Sequence, residues 1–268
     1  MTARTVIGRA GLTPDDGPIL ASIGVFDGLH LGHLWLLEQL VREARLRSAR
    51  PAVITFDAHP DAVLVGAAPP LLMDPAERIE RLGALGVDLV VIEHFDDALR
   101  LTPYDAFVAG LSERCGLAGF VMTSDAAFGH DRKGTPAALA ELGRSAGFDV
   151  VLVPPFTLEG REVRSSDIRA AIASGDLAGA ERLLGRSYAV VGDVDAAGRL
   201  TFGMPVALPP RGRYPVTARP LARPGGARRA ERPGGARRAE ITIRGGTVTL
   251  ASPVRVGPTR VAFDPSHA

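Results

Sequence analysis

The chain has 268 residues, 46% hydrophobic and 23% charged, a composition that supports a buried core in one large or two ordinary domains and excludes a disordered chain. A formal net charge of +1 provides no global field to draw nucleic acid or an anionic membrane, so neither is expected as a partner and any anion binding must be local. The lone cysteine, Cys115, excludes an intrachain disulfide framework and a paired-cysteine zinc site; with no secretory leader pattern and no apolar run approaching about 18 residues, a cytoplasmic protein is expected.

From Pro18 to about Leu184, short apolar runs alternate with amphipathic segments, the pattern of an α/β domain with a parallel sheet. The first expected strand, Ile19 to Phe26, runs into Gly24-Val25-Phe26-Asp27-Gly28-Leu29-His30-Leu31-Gly32-His33. Leu34, Leu37, Leu40 and Val41 then recur at helical spacing. An H-x-G-H run at a strand-to-helix corner places two imidazoles and glycine-exposed amides beside a helix N-terminus, where the dipole and unpaired N–H groups favour phosphate. His30 and His33 can there offset negative charge developing on a phosphoryl group.

Further strands are expected at Ala52 to Phe56, Asp88 to Ile92, Gly119 to Thr123 and Asp149 to Val153, all rich in Val, Ile or Leu as doubly covered strands are. Between the first two of these a helix is expected after Asp74, whose spacing to Glu77 reads as an N-cap with its box, and Ile79, Leu82 and Leu85 form its apolar stripe. Ligands of such sheets bind beyond the carboxyl ends of the strands, so Asp27 to His33, Asp57 to Pro60 and Thr123 to Gly134 are the candidate site loops. In the last of these, His130 to Gly134 carries Arg132 and Lys133 and reads as a flexible basic cover for phosphates.

After Arg186 the helical period ends. Tyr188 to Val194 alternates, Thr201 to Leu208 is short and apolar, and Ile241 to Ile243 and Val248 to Leu250 follow, which reads as a small β-rich, barrel-like domain. Within it RPGGARRAE at Arg223 to Glu231 recurs unchanged at Arg232 to Glu240. The Gly, Pro and Arg content of 222–240 reads as a disordered surface loop produced by duplication, its arginines a solvated charge run. The expected domains are 1–184 and 185–268.

Four segments, taken in order and spacing, carry a resemblance: Gly24 to His33, Thr55-Phe56-Asp57-Ala58-His59-Pro60, Ser165-Ser166-Asp167-Ile168-Arg169 and Leu184-Gly185-Arg186. Together they resemble the FAD synthetase half of bacterial bifunctional riboflavin kinase/FMN adenylyltransferases. H-x-G-H alone is shared by many nucleotidylyltransferases, and the T-F-D-x-H-P sequence narrows it to this family. The resemblance implies a Rossmann-like nucleotidylyltransferase fold in which FMN and ATP give FAD and pyrophosphate, with magnesium accompanying the ATP phosphates and no dedicated protein metal site. It implies His30, His33 and Arg169 as catalytic residues, with Gly24, Phe26, Asp27, Gly32, Ser165 and Ser166 at the nucleotide. His59, Pro60, Asp125 and Phe128 are implied at FMN. Asp27 also reads as a brace for its loop, with a place close to magnesium or ribose left open. The reaction is in-line attack of a phosphate oxygen on the α-phosphorus; it needs no protein nucleophile, only positioning and electrostatics.

The chain departs from the family pattern in several places. Ala58 stands where proline is usual, and Thr123-Ser124-Asp125-Ala126-Ala127-Phe128-Gly129 keeps Asp125, Phe128 and Gly129 but loses a leading glycine and one aromatic. Arg164 and Ser166 replace a serine and a threonine. In the kinase half, a P-T-A-N segment supplies hydroxyl and amide groups around magnesium and phosphates, and here Gly203-Met204-Pro205-Val206-Ala207-Leu208 takes its place. No riboflavin kinase activity is therefore expected. Two other readings stand beside FMN adenylylation: a nucleotidylyltransferase whose acceptor is another phosphate ester, and a non-catalytic flavin or nucleotide sensor. The sensor has no need to keep His30, His33, Ser165, Ser166 and Arg169 together.

Overall fold

The computed structural model describes residues 2–222, 235–251 and 256–265. They group into two compact units, one within Met1–Pro69 and Pro75–Glu162, the other within Pro70–Asp74 and Val163–Ala268.

The first unit is built on a six-stranded sheet of β1 (Arg4–Ile7), β2 (Ile19–Ile23), β3 (Arg50–Phe56), β4 (Leu89–Glu93), β5 (Leu117–Met122) and β6 (Asp149–Leu152), all parallel in the order β1-β4-β3-β2-β5-β6. Crossovers run through α1 (Leu31–Leu46), α2 (Asp61–Leu64), α3 (Pro75–Ala84), α4 (Asp97–Arg100), α5 (Tyr104–Cys115) and α6 (Pro136–Ala146). β2 and β3 are buried along nearly their whole length, as strands covered on both faces must be. The core gathers Ile19, Ala21, Ile54, Leu89, Val91 and Phe120 of the sheet with Phe107 and Leu111 of α5. From β2 the chain moves outward to β3 and β4, whereas β5 lies on the other side of β2. The sheet therefore has its topological switch point between β2 and β5, the place where open α/β sheets form a ligand crevice.

All five expected strands are present, and the sequence pattern missed β1. Of its four residues only Val6 is buried, so it offers no periodic signal. β2 stops at Ile23 rather than Phe26 because the chain turns sharply there: Phe26, Gly28 and Leu29 have φ of 52°, 81° and 40°. On α3 the expected stripe is also revised. Leu82 is buried, Leu85 is exposed, and Arg78, one turn before Leu82, occupies the inward face.

The second unit contains α7 (Ser165–Ser174), α8 (Leu177–Leu184) and six antiparallel strands: β9 (Ala189–Val194), β10 (Arg199–Thr201), β11 (Gly212–Pro220), β12 (Arg237–Arg244), β13 (Thr247–Leu250) and β14 (Gly257–Phe263). The strands close into a barrel in the order β10-β13-β12-β11-β14-β9. Along β14 every second residue, Gly257, Thr259, Val261 and Phe263, is buried, the alternation that closure imposes. By packing, this unit begins at Val163 rather than at 185: Ile168, Ile172, Leu177, Ala180 and Leu184 share one buried cluster with the barrel residues Tyr188, Val190, Val216, Ile241 and Val261. The repeat expected to be disordered throughout is strand at its end. Arg237 to Glu240 pair with Ala218 to Pro215, because β11 offers a ladder long enough to recruit them. Residues 223–234 lie outside the described residues.

Candidate active site

The loop from Gly24 to His33 leaves the carboxyl end of β2 in a conformation held from below. Gly24 N–H donates to the Ile54 carbonyl at 3.0 Å, extending the ladder by one residue. The Val25 carbonyl then accepts from the Thr55 hydroxyl at 3.2 Å and from Arg78 Nη1 at 2.8 Å. Phe26 and Leu29 take up left-handed backbone, which costs a non-glycine residue on the order of 1–3 kcal/mol. Burial of both side chains offsets that strain, at 2% and 1% exposure.

His30 is the N-cap of α1, and its Nδ1 accepts from the His33 N–H at 3.3 Å. That assignment leaves the proton of the neutral ring on Nε2, as a donor. The His30 and His33 rings stack with centroids 3.7 Å apart and planes 20° from parallel, and Phe26 packs against His33 at 5.2 Å. His33 is half-buried as a residue, but its Nδ1 is sealed and has no hydrogen-bond partner among the described residues. Burial, with His30 and the Arg78 guanidinium nearby, holds its pKa well below the usual histidine value. A lowered pKa favours the neutral ring, which offers hydrogen bonding rather than charge.

A cavity of about 550 Å³ opens at the switch point. Gly24 and Val25 line it from β2, Phe56 and Pro60 from β3, and Thr123, Asp125 and Phe128 from β5. Phe56 meets Phe95 edge-on at 5.2 Å, and Phe128 stands against Phe107 and Phe120 at 5.6 and 5.5 Å. Phe128 is therefore at once cavity wall and outer core. The Thr123 hydroxyl donates to Asp125 Oδ1 at 2.7 Å and Arg132 Nη2 to the Asp125 carbonyl at 3.2 Å, which orders the polar rim. The segment expected to be flexible is tied down: His130 N–H donates to the Thr102 carbonyl at 2.8 Å, and Phe128 bridges Gly134.

The candidate residues thus fall into groups. Gly24, Pro60, Asp125 and Phe128 line one cavity. Phe26, His30 and His33 form the aromatic cluster at the start of α1, with Gly32 in its first turn and Asp27 buried in the loop before it. His59 precedes Pro60, and its Nδ1 accepts from the Asp61 N–H at 3.2 Å. Ser165 and Ser166 open α7 in the second unit, and Arg169 Nε there donates to the Pro70 carbonyl at 2.8 Å. Sequence reasoning missed Phe95 and Arg100, which line the cavity after β4, although the carboxyl-end rule reaches β4 as well. It also missed the pair behind Phe95: Asp57 Oδ2 lies 2.6 Å from His94 Nδ1, and Asp57 Oδ1 accepts from the Phe95 N–H at 3.3 Å.

A parallel sheet with an aromatic cavity at its switch point and a histidine-capped helix following β2 defines a Rossmann-like α/β domain. Residues 13–167 match the family model described as FAD synthetase. The chain is 34% identical over 199 residues to the bifunctional riboflavin kinase/FMN adenylyltransferase of Escherichia coli (strain K12), covering 72% of this chain and 63% of that protein. To the Bacillus subtilis (strain 168) protein of the same description it is 32% identical over 216 residues, covering 74% and 66%. The match thus spans less than two thirds of the length of the Escherichia coli relative. A crystal structure described as a macrolide-efflux protein from Streptococcus pneumoniae covers 98% of this chain and 90% of its own, with a TM-score of 0.78 and 23% identity, a likeness of fold alone. This chain belongs to the FAD synthetase family.

Proposed function

We propose that the protein transfers the adenylyl group of MgATP to FMN, giving FAD and pyrophosphate, and that it does not phosphorylate riboflavin. The observation that carries this reading is the double duty of one loop: Gly24 and Val25 form a wall of the aromatic cavity, and His30 and His33 follow within ten residues at a helix N-terminus. An aromatic acceptor bearing a phosphate suits that cavity, and a triphosphate suits that helix end.

In the reaction an FMN phosphate oxygen forms a bond to the ATP α-phosphorus as the bond to the bridging oxygen breaks, and pyrophosphate leaves with that electron pair. His30 donates from Nε2 and His33 from its ring N–H to oxygens on which charge grows, without forming a covalent intermediate. Gly24, Phe26, Asp27 and Gly32 shape the nucleotide loop. Ser165 and Ser166 supply hydroxyls and Arg169 a planar cation for the outer phosphates. His59, Pro60, Asp125 and Phe128 receive the flavin. Magnesium arrives with the nucleotide, which asks few ligands of the protein.

The segment that replaces the kinase motif does structural work: Leu71 bridges Val206, and the Ala207 carbonyl accepts from the buried Tyr188 hydroxyl at 2.5 Å. Valine and leucine side chains there offer no oxygen to a cation. Ala126 and Ala127 line the cavity where an aromatic is lost, and this favours, as the second reading, an altered phosphate-ester acceptor.

The test is incubation of the purified protein with MgATP and either FMN or riboflavin, following FAD, FMN and pyrophosphate. FAD from FMN and no product from riboflavin is expected. Pyrophosphate release only with a different phosphate ester supports the altered acceptor, and tight flavin binding without turnover supports a sensor.

A further inference from the structure

Arg78 is a charged residue buried to 6% exposure on a helix whose neighbouring Glu77–Arg81 ion pair stays nearer the surface. Burying a guanidinium is unfavourable unless its donors are used. Its Nη1 donates to the Val25 carbonyl at 2.8 Å and its Nη2 to the Phe56 carbonyl at 2.9 Å. Those carbonyls belong to different strand ends. β2 and β3 pair as far as Ile23 and Ile54; beyond that point one chain becomes the histidine loop, and the other runs on as strand against β4 to Phe56 before the Asp57-to-Pro60 loop. Arg78 spans the gap where the ladder ends.

We infer that Arg78 is a positioning residue for the adenylyl transfer proposed above, a brace that fixes the histidine loop and the Asp57-to-Pro60 loop at a set separation by holding the Val25 and Phe56 carbonyls. The inference rests on that functional reading for its catalytic part. In a trans peptide the N–H following a carbonyl points the opposite way. Capture of the Val25 oxygen by Arg78 and Thr55 therefore sets the direction of the Phe26 N–H, the first amide of the turn that leads to His30. The same logic is visible on the other loop, where Phe56 gives its carbonyl to Arg78 and the Asp57 N–H donates to the Glu93 carbonyl at 3.1 Å. Planarity matters: two donors on one rigid fork fix two acceptors relative to each other, which an ammonium cannot do. The cation also stands near enough to His33 to oppose its protonation, together with His30.

The experiment compares Arg78→Met and Arg78→Lys with the wild-type protein. At saturating MgATP and FMN, kcat is expected to fall on the order of 100-fold in R78M and about 10-fold in R78K, with KM for both substrates changed by less than about 3-fold, because misplacement by about an ångström acts on the transition state. Amide hydrogen exchange should rise in residues 25–30 and 56–58 of R78M while the barrel strands stay protected. The His33 imidazole, faced by His30 and Arg78, should titrate higher in R78M and keep its position in R78K. If R78M does not fold, R78K carries the test. A folded variant with wild-type kcat and unchanged exchange in both loops overturns the inference. If the wild-type protein itself fails to make FAD, the functional reading falls, and the exchange and titration measurements still decide whether Arg78 braces the loops.

Discussion

His30 and His33 are bound to each other twice: their rings stack at 3.7 Å, and the Nδ1 of His30 accepts the backbone N–H of His33. One imidazole therefore caps a helix through Nδ1 and, in the proposed transfer, donates from Nε2. The two roles can be separated. Replacing His30 by alanine removes both, and kcat is expected to fall about 100- to 1000-fold with stability lowered by about 1 kcal/mol. His30→Asn restores a capping oxygen without an imidazole donor, so thermal stability should return while turnover stays low. FMN affinity should move less than 3-fold in either variant, as read by flavin fluorescence titration. Unaltered turnover in the alanine variant would falsify the assignment of His30.

Phe95 and Phe128 both face the cavity, but only Phe128 packs on the buried Phe107 and Phe120. Phe95→Ala should weaken FMN binding roughly 3- to 10-fold, the equivalent of about 0.5–1.5 kcal/mol of aromatic contact, with little change in Tm. Phe128→Ala should weaken it similarly and also destabilise the fold by about 2–4 kcal/mol, because truncation opens a void against the core. Equal stability loss in the two variants would contradict the distinction.

The carboxylate of Asp57 is pushed up by burial, but the His94 hydrogen bond and the Phe95 N–H outweigh this and hold it below the usual range. His94 in turn is raised, chiefly by its hydrogen bond to Asp57. A histidine raised on folding contributes stability that is complete below its ordinary pKa and fades as pH rises through the raised value. NMR titration should show His94 titrating above a free histidine, and Asp57→Asn should return it to the ordinary range. The same variant weakens the tie to Phe95, so FMN affinity should fall by about 2- to 5-fold.

Asp16 is buried at 1% exposure and meets Arg4 Nε at 2.5 Å and Arg50 Nη1 at 3.4 Å. Burial works to raise its pKa, and the bonds from Arg4 and from the Thr13 N–H and hydroxyl carry it below the ordinary value. A carboxylate depressed on folding contributes stability present above its unfolded pKa, near 3.9, and lost as pH falls through the folded one. Asp16→Asn should therefore lower stability by about 1–2 kcal/mol at pH 7, with the gap to wild type closing below about pH 4. Thermal melts across that range supply the check.

The parts of this protein most legible in the sequence are those where one residue type has one use. The glycines and histidines of Gly24 to His33 mark a corner and its chemistry, and unbroken apolar runs such as Ala52 to Phe56 mark strands covered on both faces. Arg78 was hidden because an arginine on an amphipathic helix is ordinarily read as solvent-facing; its spacing of four from Leu82 was the available signal. Phe95 and Arg100 were hidden because they sit in a short connection with no period. α7 and α8 continue the α/β rhythm of the sequence, yet their apolar faces are spent on the barrel, and rhythm along a chain carries no record of which core a helix joins.

The ladder between β11 and β12 joins seven residue pairs, from Gly212 with Ile243 to Ala218 with Arg237. Register in this pair of barrel strands is thus written into β11 and β12 themselves, whatever the number of residues that joins them. The entropy of closing a connection varies only logarithmically with its length, so excising Arg223 to Glu231 should change stability by less than about 1 kcal/mol, as read by thermal melts, and leave catalysis as it was. A duplication that falls between two paired strands leaves their pairing rule as it was: partners are fixed by position within β11 and β12, and the inserted residues lie outside that count.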